Sequence, residues 1–308
     1  MSLRVAFFGT PDFAATCLTR VFGDGHTVVC AVTQPDKPSG RGNKFAVSAV
    51  KSLATGRCDV YQPTTLRDGE ALRYLENLAP DIIVAVAYGK ILPHEILALP
   101  KLGCVNVHAS LLPKYRGSAP IQRAVLNGER ETGVCSMYMD AGLDTGDVIF
   151  TRRTAIGDDE TSGELFERLA ILGADTLSDT LAAIERGDAP RTPQNNGDAT
   201  YALPIEKSEA PIDWSRASND IVNHVRGMNP KPTATAVING EIFKVFKVSA
   251  ADGNGVAGTV LAADARGITV ACGDGAVTIT ELQAAGGKRL AAADYLRGHK
   301  ITLGEVLR

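Results

Sequence analysis

Along its first two thirds the chain alternates short apolar runs with segments whose apolar positions recur every three to four residues. The runs at Leu3–Phe8, Thr27–Thr33, Asp81–Ala87, Gly103–Val107, Gly133–Met139 and Val148–Thr154 predict strands. Helical spacing predicts helices over Pro11–Phe22, Lys44–Ala54, Gly69–Leu78, Pro93–Leu97, Ala119–Asn127 and Thr161–Arg186. Strands alternating with helices are the pattern of βαβ units. Residues 1–186 are therefore expected to form an α/β domain on a doubly wound, mainly parallel sheet. Periodicity then stops. Residues 187–204 (GDAPRTPQNNGDATYALP) hold three prolines, two glycines and two adjacent asparagines, and read as a linker. Beyond it come one helical pattern (Ser215–Arg226) and short strands at Thr235–Asn239, Glu241–Val248, Gly258–Ala262, Gly267–Ala271 and Ala276–Leu282. Asn239-Gly240 predicts a tight hairpin between the first two. Regularly spaced short strands predict a small OB-like β-barrel over 205–308.

Composition agrees with two domains. The chain has 308 residues, 44% apolar and 22% charged, enough to bury two cores. A net charge of −3 argues against a protein that simply coats nucleic acid. Residues 205–308 carry twelve Lys/Arg against eleven Asp/Glu, leaving twenty against twenty-four in 1–204. Any contact with a polyanion must therefore come from local placement of charge. One such place is Gln34–Lys51, where Lys37, Arg41, Lys44 and Lys51 face Asp36 alone. Its prolines and glycines make it either a solvated loop or a basic clamp for a phosphate backbone. With a strand starting at Leu3, no signal or transit peptide is expected. The longest wholly apolar run, Ile82–Ala87, is far short of the roughly 20 residues that span a bilayer. Six scattered cysteines without a C-x-x-C pair predict buried free thiols in a reducing compartment. A cytoplasmic protein without a metal site is expected.

The candidate chemistry is concentrated around residue 108. Gly9-Thr10-Pro11-Asp12-Phe13 stands where a dinucleotide loop would be, but it lacks the second glycine and Pro11 lacks a donor. Gly40-Arg41-Gly42 lacks a third glycine, there is no G-x-x-x-x-G-K-[ST] loop, and no G-x-S-x-G elbow. By contrast, residues two apart on a strand share a side, so Asn106 and His108 would face one way while Val105 and Val107 pack on the other. An amide donor beside an imidazole at a strand's carboxyl end can stabilise an oxyanion and move a proton. A strand end with its polar groups satisfied by backbone is the plainer alternative. Asp140, Asp144 and Asp147 lie in a glycine-rich loop. Loop aspartates commonly form turns, but one of them could orient an imidazole from a neighbouring strand end. His26, His94, His224 and His299 have no such context and read as surface or packing residues.

Taken together, Asn106-x-His108, Ser110-Leu111-Leu112-Pro113-x-Tyr115-Arg116-Gly117 and Asp144 resemble the folate-dependent formyltransferases. Gly9–Ala14, the Gly40-Arg41-Gly42 loop, Ala119–Arg123, Gly142–Asp147 and Glu209-Ala210-x-Ile212-Asp213-Trp214 are similar to the branch of that family acting on methionyl initiator tRNA. The resemblance covers nearly the whole chain. It implies 10-formyltetrahydrofolate as formyl donor and the α-amine of methionine on initiator tRNA as acceptor. It further implies Asn106, His108 and Asp144 as catalytic residues, Ser110, Leu111, Leu112 and Pro113 as the folate wall, and Arg41 and Lys44 as tRNA contacts. The barrel becomes the tRNA-binding domain, and a monomer is expected. Formyl transfer to an amino-sugar nucleotide is the alternative, since those enzymes share the N-x-H…D core. One stretch departs from the family: where its members usually read Pro-Trp-Pro-Gly-Ala, this chain has Pro230-Lys231-Pro232-Thr233-Ala234.

Overall fold

In the computed structural model, which describes residues 2–39 and 44–308, the chain divides into two compact units. The first comprises Met1–Pro120, Glu131–Ala155 and Phe166–Leu203; the second comprises Ile121–Arg130, Ile156–Leu165 and Pro204–Arg308.

The first unit is built on a seven-stranded sheet: β1 (Arg4–Gly9), β2 (Thr27–Val32), β3 (Asp59–Tyr61), β4 (Ile82–Val86), β5 (Cys104–His108), β6 (Glu131–Tyr138) and β7 (Val148–Ala155). Their spatial order is β7-β6-β5-β4-β1-β2-β3. The five strands from β5 to β3 run parallel, and β6 runs antiparallel to both its neighbours, β5 and β7. Chain order reverses between β1 and β4, the switch at which open α/β sheets place their ligand crevice beyond the strand carboxyl ends. The central strands β1 and β4 are buried almost throughout because both sheet faces are covered, hence their unbroken apolar runs. Helix α1 (Asp12–Gly23) buries Phe13, Cys17 and Val21, with Ala14 and Leu18, along one stripe. Helix α2 (Ser162–Arg186) brings Gly173 so close to the sheet that a Cβ there would lie 3.3 Å from Val107 Cγ1.

Three local features differ from expectation. The helix anticipated over Lys44–Ala54 starts only at Ala49, because Ser48 caps it: its Oγ accepts the Lys51 N–H at 3.1 Å. Lys44–Ala46 instead pairs antiparallel with Lys37–Ser39. The edge strand β3 has three residues, too few to show a period. Of residues 187–204, expected as linker, 187–203 are stitched into the first unit: Thr192 bridges Val148, and Tyr201-Ala202 pairs in parallel with Arg116-Gly117. Backbone and side-chain hydrogen bonds together hold this stretch, and they leave no hydrophobic period.

The second unit carries α3 (Ser218–Met228) and the antiparallel strands β8 (Ala234–Ile238), β9 (Glu241–Ala251), β10 (Val260–Asp264), β11 (Gly267–Ala271) and β12 (Ala276–Gln283), in the order β8-β9-β12-β11-β10. The C-terminal residues join the two ends of this sheet. Val237 N–H donates to Arg308 O at 2.6 Å on β8, and Val260 N–H donates to Glu305 O at 2.8 Å on β10. The sheet thus closes as a small barrel, which removes its open edges. Its core includes Trp214, Ile221, Val225, Phe243, Ile268, Ile279 and Leu307. Asn239 and Gly240 both have positive φ, 50° and 78°, the conformation a type I′ hairpin requires. Within Pro230–Ala234, Thr233 adopts φ 76°. It is buried, with its N–H on Met228 O at 2.8 Å and its Oγ1 on Pro230 O at 2.7 Å, so hydrogen bonds hold a branched residue in a left-handed conformation.

Candidate functional site

Strand β5 delivers the first two candidate groups. Asn106 pairs with Ala85 of β4 on one side and Met137 of β6 on the other. Cys104, two residues earlier on the same side, belongs to a core cluster with Phe8, Ala85 and Tyr88, so apolar packing fixes which way the Asn106 and His108 side chains point. After His108 the chain turns. Ser110 Oγ donates to Lys114 O at 2.6 Å, and Tyr115 takes φ 58°. That turn carries the Tyr115 carbonyl back to His108, 2.8 Å from Nε2. A carbonyl can only accept, so Nε2 bears the hydrogen and Nδ1 is the ring nitrogen left for chemistry.

Asp144 supplies the third group, from the loop after β6. Its Oδ2 lies 3.7 Å from His108 Nδ1 and accepts the Gly117 N–H at 2.7 Å, while Oδ1 faces Asn106 Nδ2 at 3.4 Å. The imidazole is therefore held first by the Tyr115 carbonyl, with the carboxylate at ion-pair rather than hydrogen-bond distance. His108 is buried and the Asp144 side chain is 11% exposed, which strengthens their electrostatic interaction. Two glycines make the approach feasible. A Cβ on Gly117, at φ 119°, would meet Ala202 O at 2.7 Å, and one on Gly146 would meet Tyr138 O at 1.9 Å. The other two aspartates serve elsewhere. Asp140 caps its own loop through Gly142 N and Thr145 Oγ1, and Asp147 lies 3.6 Å from Arg191 Nη1.

Ser110, Leu111, Leu112 and Pro113 follow directly from β5 and flank the same strand end. Ser110 is buried with its hydroxyl engaged, whereas Leu111, Leu112 and Pro113 are half-exposed and offer apolar surface. Arg41 lies outside the described residues; the backbone of Lys44 is in the short hairpin strand. Lys51, counted among the cations of that loop, is engaged internally: its Nζ donates to Asp36 Oδ2 at 2.6 Å and Gln62 Oε1 at 2.7 Å. Thiol nucleophiles are disfavoured. Burial pushes Cys17, Cys30 and Cys104 up to about 12, and it raises Cys135, the register partner of His108, as well.

The sequence reading did not anticipate the support behind Asp144. Gln194 Nε2 donates to Asp144 O at 2.9 Å and to Gly146 O at 2.7 Å, and its Oε1 accepts from Arg116 Nη2 at 2.8 Å. Arg116 is buried at 2% exposure. Such a buried arginine inside a motif was the available signal, but its partners lie 78 residues away.

The sequence pattern of the formyl transferase family matches residues 3–181, and that of the formyl transferase C-terminal domain matches 204–300. A methionyl-tRNA formyltransferase of Pelotomaculum thermopropionicum is 45% identical over 99% of this chain and 98% of its own. That of Clostridioides difficile is also 45% identical, over 99% of this chain and 100% of its own. Among solved structures, an N-formyltransferase from Helicobacter canadensis in complex with folinic acid and dTDP-3-aminofucose superposes with a TM-score of 0.67 at 17% identity, over 94% of this chain and 100% of its own. HypX from Aquifex aeolicus with tetrahydrofolic acid gives 0.64 at 19% identity, over 96% of this chain, which spans 47% of that protein. At these identities the two structures speak for the fold alone. The end-to-end likeness at 45% identity goes further: the chain belongs to the methionyl-tRNA formyltransferase family.

Proposed function

We propose that this enzyme transfers the formyl group of 10-formyltetrahydrofolate to the α-amine of methionine esterified to initiator tRNA, with Asn106, His108 and Asp144 as its catalytic residues. The observation that carries this reading is the meeting of amide, imidazole and carboxylate at the carboxyl end of β5, with Asp144 arriving from 38 residues further along the chain. The folate is a substrate, consumed at each turnover. An α-amine titrates near pH ~8, so a fair fraction is already nucleophilic and the site needs placement and charge stabilisation more than a strong base. The amine nitrogen bonds to the formyl carbon, the bond from that carbon to folate N10 breaks, and the proton lost by the amine ends on N10.

Asn106 has donor capacity to spare, its bond to Asp144 being long at 3.4 Å, and it donates to the oxyanion as negative charge develops. His108 has committed Nε2–H to Tyr115 and acts through Nδ1. Protonated there, it donates to the oxyanion with Asp144 balancing the charge; deprotonated, it accepts the proton that the amine releases. Leu111, Leu112 and Pro113 supply apolar surface for the pterin, with Ser110 shaping the turn beneath them. Arg41 and Lys44 contact the tRNA through its phosphates, and the barrel unit binds it as well.

The test is transfer of labelled formyl from 10-formyltetrahydrofolate to Met-tRNA, with a UDP-amino sugar and water as competing acceptors. Label in formyl-Met-tRNA is the expected result. Label in the amino sugar with none in the tRNA would replace this reading by the sugar-directed one.

A further inference from the structure

Residues 139–147, which carry Asp144, form neither helix nor strand, yet the carboxylate must stay within reach of His108 and Asn106. The Gln194 side chain occupies the position that holds it. Both N–H groups of the amide are used, on Asp144 O at 2.9 Å and Gly146 O at 2.7 Å. Its oxygen accepts from Arg116 twice, from Nε at 3.2 Å and Nη2 at 2.8 Å. A guanidinium can only donate and a carbonyl can only accept, so one orientation of the amide satisfies all four contacts and the reverse satisfies none. Arg116 Nη2 is further fixed by Asn196 Oδ1 at 2.9 Å. The residue next to Arg116 completes the grip: Gly117 N–H donates to Asp144 Oδ2 at 2.7 Å. The Arg116-Gly117 pair thus anchors Asp144 by two routes, through Gln194 to the loop backbone and directly to the carboxylate.

We propose that Gln194, oriented by Arg116, is a positioning residue that holds the Asp144 carboxylate at His108 and Asn106. The proposal rests on the reading of Asp144 as catalytic. Gln194→Glu separates holding the loop from holding the fold. It keeps an acceptor for Arg116 and replaces the donor to the loop by an oxygen that faces two carbonyls.

In the full-length Gln194→Glu protein, kcat for Met-tRNA formylation should fall between about tenfold and a hundredfold, the scale of a misplaced catalytic group. KM for Met-tRNA and for the folate should stay within about twofold. Exchange of the Gly117 amide hydrogen, followed by NMR, should accelerate because its acceptor is no longer held. If the carboxylate prevents folding, Gln194→Met, neutral and of similar length, takes the same measurements. A folded variant with unchanged kcat, a rise in KM at constant kcat, or unaltered Gly117 protection would each overturn the proposal. Should the wild-type protein itself fail to formylate Met-tRNA, the functional reading falls, and Gly117 exchange still decides whether Gln194 holds Asp144.

Discussion

The Asn106 side chain has one hydrogen bond among the described residues, at 3.4 Å to Asp144, so its amide is the least committed of the three groups proposed as catalytic. Asn106→Ala is expected to lower kcat on the order of 10²–10³-fold, the cost of one lost oxyanion donor, in a steady-state formylation assay with both substrates saturating. Near-normal turnover would remove Asn106 from the mechanism. His108 shows the limit of reading residues singly. Its strand face followed from alternation with Val105 and Val107, but which ring nitrogen is free did not. That depends on Tyr115 φ 58° returning a carbonyl to Nε2, a turn with no signature beyond the motif itself. Asp144 was distinguishable from Asp140 and Asp147 only through the family resemblance, because three loop carboxylates are chemically alike until the fold assigns their partners.

Strands and long helices were legible because their periods repeat. β11 runs over Gly267–Ala271 as expected, and β1, β2, β4 and β12 begin or end within a residue or two of expectation. Short elements were legible only in part: the helix His94–Leu97 lies within the expected Pro93–Leu97, whereas β3 and the helix Ala292–Leu296 were not anticipated. The least visible element is the C-terminal segment that closes the barrel. Leu307 is buried in the core, its N–H donates to Gly258 O at 2.8 Å, and Glu305 Oε1 accepts the Asn239 N–H at 2.8 Å. Removing residues 304–308 is expected to destabilise the second unit, with the buried Leu307 side chain alone contributing roughly 2 kcal/mol. A thermal or urea midpoint unchanged by the truncation would show that the barrel does not need its closing strand.

For the molecule as a whole, charge and pH provide separable tests. With net charge −3, binding of a polyanion depends on local cations, and Arg41→Ala should raise KM for Met-tRNA while leaving the folate KM intact. An unchanged tRNA KM in steady-state titrations would refute the clamp. In the second unit, burial pushes His224 below its ordinary value of 6.5 despite its bond to Ala210 O and the nearby Glu209 and Asp213 carboxylates, with Arg216 adding to the depression. The unfolded chain then binds a proton near 6.5 that the folded chain refuses. Stability should therefore fall as pH drops through and below that value, and recover above it. Glu209 and Asp213 are held below their ordinary 4.5 and 3.8 by Arg123 and Ser215 respectively, so their contribution is lost only at lower pH. In His224→Gln the fall in melting temperature as pH drops below the ordinary histidine range should be lost and the acid limb kept; an unaltered slope would assign it to other groups. By itself the sequence determined the two architectures, the strand end bearing Asn106 and His108, and the family, because hydrophobic period and motif spacing are local properties of the chain. The tertiary structure decided that Gln194 and Arg116 stand behind Asp144, that residues 304–308 close the barrel, and that Lys51 is bound internally. Those contacts join residues far apart in sequence through hydrogen bonds, which leave no periodic trace.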